Sequence, residues 1–109
     1  MKTLTLSLKK KWYDMIASGE KKEEYRERTP YWHKRLCNLV WEDVDRYYKI
    51  KHFDAVTFTL GYPRKDDMER RMTFRIERIA VGFGKPEWGA EPYKSYFVIR
   101  LGERIKECK

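Results

Sequence analysis

The chain has 109 residues, enough for one domain that buries about two-thirds of its unfolded surface without help from disulfides or metal. Charged residues make up 39%, yet aromatics reach 16% and supply the apolar area a core requires, which excludes the disordered class that charge alone would suggest. The net charge of +8 is evenly spread, with 13 basic and 9 acidic side chains in residues 1–54 and 12 and 8 in the remainder. Such basicity belongs to a folded surface, which attracts polyanions in a salt-dependent way.

In chain order, Leu4, Leu6 and Leu8 alternate with Thr5 and Ser7, the period of a half-buried strand. Leu8, Trp12, Met15 and Ile16 then follow helical spacing, which predicts a short helix with one stripe on the same core. Gly19 ends it, because glycine takes the left-handed conformation without steric cost. From Lys21 to Arg28 the chain reads as a strand, with Lys21, Glu23, Tyr25 and Glu27 on one face and Lys22, Glu24, Arg26 and Arg28 on the other. Neither face is apolar. A strand so charged lies on a sheet edge or lines a wet cavity, and spacing alone favours the solvated edge, with Glu24 and Arg26 paired to neighbours.

Thr29 suits an N-cap and Pro30 the first helical position, so a second helix is expected there, with Trp32, Leu36, Leu39 and Val40 turned to the core. Residues 41–52 show no clear period and read as a helical or irregular connection. Val56, Phe58 and Leu60 alternate cleanly up to Gly61 and Pro63. Met72, Phe74 and Ile76 answer them as the second arm of a hairpin, running through Ile79 and Val81 until Gly82 and Gly84 interrupt it. A loop carrying Trp88 follows, and Phe97, Ile99 and Leu101 form the last strand. The pattern predicts an α+β chain dominated by a small, mostly antiparallel barrel with two or three flanking helices, a single domain over residues 1–109.

Cys37 and Cys108 form no disulfide framework, and His33 and His52 have no ligand spacing, so no metal and no cofactor are expected. Without an amino-terminal apolar stretch or a membrane-length run, the chain reads as cytoplasmic.

The pattern Gly19-x-Lys21-x-x-Glu24-x-Arg26, after a Leu-x-Leu strand and a helix bearing Trp and Tyr, resembles the signature of the ASCH (activating signal cointegrator homology) domain family. Thr29-Pro30-Tyr31-Trp32-x-x-Arg35-Leu36, Gly84-Lys85-Pro86-Glu87-Trp88-Gly89 and Tyr96-Phe97-Val98-Ile99 resemble a bacterial and phage branch of it. The resemblance implies a PUA-like fold whose motif residues line a central cleft. It also separates Lys21 from its neighbour Lys22, which composition does not. Some small members are amidohydrolases acting on a modified cytidine with a lysine, a threonine and a glutamate. Lys21 matches the lysine, but Glu24 stands where the threonine nucleophile would be and has no hydroxyl to acylate. Glu23 departs too, since relatives place an apolar residue there. Glu87 and Glu91 lie in a loop of suitable character for the third member.

The chemistry of the residues allows several uses. Lys21 can act as a base or hold an anion. Glu24 can accept from a base's exocyclic amine, and Arg26 can meet a phosphate or carbonyl edge, although the two can equally close a barrel end without touching ligand. Aromatics interleaved with bases (Tyr31, Trp32, Lys34 and Arg35; Tyr47 and Tyr48 beside Arg46 and Lys49) suit unstacked nucleobases. Trp32 falls on the helical core stripe; Trp88, in its loop, is the better stacking candidate. The expected function is a module binding single-stranded RNA or a nucleotide-like ligand through Lys21, Glu24, Arg26 and Trp88. The alternatives are an amidohydrolase or nuclease with Lys21 as base and Glu24 as proton carrier, and a protein-interaction domain with a vestigial cleft.

Overall fold

The computed structural model describes residues 1–105; Cys108 lies outside them. Strand β1 (Thr3–Leu8) leads into helix α1 (Lys10–Ala17), edge strand β2 (Glu23–Glu27) and helix α2 (Pro30–Leu36). Strands β3 (Cys37–Glu42) and β4 (Asp45–Ile50) form a hairpin, and β5 (Ala55–Leu60), β6 (Arg71–Phe83) and β7 (Ser95–Ile105) complete the main sheet. That sheet has five strands in the order β1-β5-β6-β7-β2, curled into a half-barrel. Among the described residues only β1 and β5 run parallel, with Leu4 beside Val56 and Leu6 beside Phe58. The α+β, mostly antiparallel barrel-like architecture is the one the pattern predicts.

Alternation places the core. Leu4, Leu6 and Leu8 of β1, Val56 and Phe58 of β5, Met72 and Phe74 of β6, and Phe97, Ile99 and Leu101 of β7 all point inward. Tyr13 and Ile16 of α1 and Leu36 of α2 cover them. On α1 the buried stripe is Tyr13 and Ile16, with Trp12 and Met15 only half-buried, so the helix is rotated by about one position from the expected stripe. Gly19 takes φ +85° and stops the helix as expected. Thr29 caps α2 by accepting from the Trp32 amide at 3.3 Å.

Three expectations are corrected. Helix α2 ends at Leu36, and Leu39, at 44% exposure, turns to solvent on β3 and not to the core. Residues 41–50 are neither helical nor irregular: Val40 pairs with Tyr47, Trp41 with Arg46 and Glu42 with Asp45. Asp43, at φ 52°, makes the tight turn between them, a conformation Asp adopts more readily than most residues. The hairpin shows no period in the sequence because most of its residues on both faces are exposed, so no burial pattern selects one face. Finally, Gly82 does not interrupt β6, which runs on to Phe83.

Gly84, by contrast, is a packing requirement. A Cβ there would lie 2.6 Å from the Ala90 Cβ and 2.7 Å from the Tyr25 ring, so only glycine lets the loop of residues 85–90 close over β2. Gly84→Val should cost about 1–3 kcal/mol by overpacking. Gly82→Ala, whose nearest contact would be Val98 at 4.0 Å, should stay within about 0.5 kcal/mol. Urea unfolding of the two variants decides this; equal losses would remove the role assigned to Gly84.

Candidate functional site

Strand β2 is bonded to β7 on one side only, Glu24 facing Ile99 and Arg26 facing Phe97 in register. Its other edge faces β1 across the open seam of the half-barrel, and among the described residues no ladder joins the two. The charged strand is therefore both an edge, the reading that spacing alone favours, and a cavity wall. Arg26 crosses the seam, its Nη2 donating to the Ser7 carbonyl of β1 at 3.1 Å.

Lys21 lies before the start of β2, so strand alternation does not govern it and the expected division of faces fails there. Its Nζ turns to the same side as Glu24 and donates to Glu24 Oε1 at 2.8 Å. A second donor hydrogen meets the Trp88 carbonyl at 2.7 Å, and the ammonium sits 4.5 Å from the Trp12 ring and 5.4 Å from the Tyr25 ring. Lys21 is 2% exposed and Glu24 6%, whereas Lys22 is open to solvent. The other carboxylate oxygen of Glu24 accepts from Arg26 Nη2 at 2.7 Å. One carboxylate thus holds two cations, and the trio carries one net positive charge. A buried charge persists only when paired and hydrogen-bonded in this way.

The loop that supplies the Trp88 carbonyl is shaped by a 3-10 turn over Pro86–Trp88 closed by Gly89 at φ 102°. A Cβ on Gly89 would meet Trp12 at 2.9 Å, so this glycine lets the loop lie flat on α1. Trp88 enters the site through its backbone. Its ring is half-buried under the Lys85 ammonium at 4.4 Å. Tyr25 closes the other side: its hydroxyl donates to Glu23 Oε1 at 2.8 Å and accepts from the Lys85 amide at 3.0 Å. Burial, with the Glu23 carboxylate beside it, pushes this hydroxyl well above the usual phenol range. Glu23, also bonded to Arg100 at 3.2 Å, is thereby accommodated in the sheet without an apolar environment.

Two hollows flank Arg26 along the seam. The larger, about 700 Å³, is walled by Trp12, Glu24, Tyr25, Arg26 and Tyr62, with Lys9 and Lys10 at its rim. The smaller, about 420 Å³, is lined on its charged side by Arg26, Arg35 and Arg71, with Tyr31, Trp32 and Tyr62 around them. Ser7, Arg26 and Tyr62 belong to both. Of the expected site residues, Glu24 and Arg26 face the larger hollow, Lys21 lies behind them, and neither Lys21 nor the Trp88 ring lines either space. Glu87 and Glu91 are exposed and line neither. Trp32 serves packing and site at once: it abuts the core while Arg26 and Arg35 lie over its ring at 5.1 and 5.3 Å.

Trp12, Tyr62 and Arg71 are lining residues that sequence reasoning did not assign to the site, whereas Arg35 comes to it with Tyr31 and Trp32 of the aromatic and basic run singled out in the sequence. Tyr62, 96% exposed between Gly61 and Pro63, carried one signal: a large aromatic in a tight turn directly after the clearest strand. Among the described residues, no three His, Cys, Asp or Glu side chains cluster as metal ligands would, and no helix is long and apolar enough to cross a membrane. The chain matches no protein-family model, and comparison with curated proteins and with solved structures finds no match.

Proposed function

We propose that this chain binds a nucleotide-type ligand, either single-stranded RNA or a free nucleotide, in the cleft along the open β1–β2 seam. The observation that carries this reading is the larger hollow itself. It combines aromatic walls with an oriented carboxylate and a guanidinium, the complement of a nucleobase's flat faces and its donor and acceptor edge. Each Glu24 oxygen retains a lone pair for an exocyclic amine after accepting from Lys21 and Arg26. Arg26, with two of its contacts made by Nη2 alone, keeps donors for a carbonyl edge or a phosphate. The resemblance of Gly19 to Arg26 to the ASCH motif supports the same cleft; away from it, the β3–β4 hairpin exposes Trp41, Tyr47 and Tyr48 beside Arg46, which suits an RNA partner.

An amidohydrolase or nuclease has less support. Lys21 is buried and committed to Glu24 and the Trp88 carbonyl, so it has no path to a substrate proton without breaking that pair.

Titration with short single-stranded RNA and with nucleoside monophosphates, followed by tryptophan fluorescence at low and high salt, tests the proposal. Quenching at low salt that weakens as salt rises is expected. Trp12→Phe and Trp32→Phe should each remove part of the signal, whereas Trp41→Phe reports only the hairpin. Silence of every probe at low salt would sink the reading.

A further inference from the structure

We propose that the smaller hollow is a phosphate subsite, taking a phosphate monoester through Arg26, Arg35 and Arg71 while the base attached to it occupies the adjoining hollow. The inference rests on the nucleotide-binding reading above and adds to it the end of the ligand that is gripped and the residues that grip it.

Charge is the first support. Among the described residues, three guanidinium groups line this space and no carboxylate does. Arg26 is already half-neutralised by Glu24, but among the described residues neither Arg35 nor Arg71 has a carboxylate partner. A phosphate monoester carries about −1.5 to −2 at neutral pH, which balances such a cluster better than the single charge of a diester.

Unspent donors are the second. Arg26 Nε and Arg71 Nε are shut off from solvent with no hydrogen-bond partner, two of the three side-chain atoms in that condition among the described residues. Both belong to this lining. A shielded donor left unmade costs free energy, and a slight turn of either guanidinium toward an oxygen-rich anion in the hollow would remove that cost. The guanidiniums are also held in place before any ligand arrives. Arg71 Nη2 donates to the carbonyls of Pro63 and Arg64 at 3.3 and 3.1 Å, and Arg35 Nη1 to the Tyr31 hydroxyl at 3.4 Å. Arg26 is fixed by Glu24, by Ser7 and by the Trp32 face. Preorganised donors of this kind bind an anion without a large ordering cost.

Adjacency is the third. Because Ser7, Arg26 and Tyr62 border both hollows, one ligand can straddle the guanidinium of Arg26, its flat part beside Tyr62 and Trp12 and its phosphate beside Arg35 and Arg71.

Calorimetric titration of the full chain with nucleosides, the matching nucleoside 5′-monophosphates, inorganic phosphate, and short single-stranded RNA bearing a 5′-hydroxyl or a 5′-phosphate tests the assignment. The monophosphate should bind roughly 10- to 100-fold more tightly than its nucleoside, and inorganic phosphate should compete with it. Arg35→Gln, on the exposed side of α2, should remove most of that gain without touching the fold. Arg71→Lys, which keeps the charge but loses the shielded Nε, should remove part of it. A preference for the 5′-phosphorylated RNA identifies a strand end as the source, and a gain confined to monophosphates identifies a free nucleotide; either supports the subsite. Equal binding of nucleoside and monophosphate together with equal binding of the two RNAs, or a phosphate-dependent gain that Arg35→Gln and Arg71→Lys both leave unchanged, overturns the subsite while leaving the cleft intact. Failure of every probe to bind removes both.

Discussion

Glu24→Ala should cost the fold about 3–5 kcal/mol, the largest stability loss expected of any single change on the charged strand. The residue holds Lys21 Nζ at 2.8 Å and Arg26 Nη2 at 2.7 Å, and its loss leaves an ammonium that is 2% exposed with only the Trp88 carbonyl as polar partner. Domains of this size are stable by roughly 5–15 kcal/mol, so the variant should be marginal at ambient temperature. Lys21→Met should be far milder, about 1–2 kcal/mol, because it removes the charge that needed Glu24, fills a similar volume against Trp12, and leaves Glu24 paired with Arg26. The double variant Lys21→Met with Glu24→Gln should recover most of the Glu24→Ala loss. Urea denaturation followed by circular dichroism measures all three. Equal costs for Glu24→Ala and Lys21→Met would mean that pairing of a buried charge is not what stabilises this region.

Arg26→Ala should weaken binding of RNA or nucleotide by roughly 100-fold, the largest functional loss expected. Among the described residues it is the only cation that borders both hollows, and its Nη2 ties β2 to the Ser7 carbonyl across the seam. Arg26→Lys should retain charge yet still lose about tenfold, because a single ammonium cannot bond Glu24 and Ser7 while presenting further donors. Lys22→Ala, one residue from the buried lysine but exposed, should change affinity by less than about threefold. Fluorescence titration at one fixed salt concentration compares them. If Lys22→Ala and Arg26→Ala weaken binding alike, attraction is diffuse and the cleft is not the site.

The strands that pack against one another were readable because burial on one face imposes a period of two. Leu4, Leu6 and Leu8, then Val56 and Phe58, then Phe97, Ile99 and Leu101, all occupy the faces their alternation assigned. Helix ends were readable where a local device sets them, as at Gly19 and Thr29. The β3–β4 hairpin was not, since exposure on both faces removes the period that distinguishes strand from loop. Lys21 was singled out by motif, but its place behind Glu24 depends on a turn that sets it outside the strand's alternation.

The residues alone determined that this chain forms an α+β fold with a mostly antiparallel sheet, and that an unusually charged strand follows its first helix, because periodicity and capping act over a few neighbouring positions. Only the tertiary structure decided what that strand borders. The seam between β1 and β2, the arginines brought to it from α2 and β6, and the loop carbonyl on Lys21 join residues up to 67 positions apart. Contacts at that separation arise from how the sheet curls, a property of all five strands together and of no segment by itself.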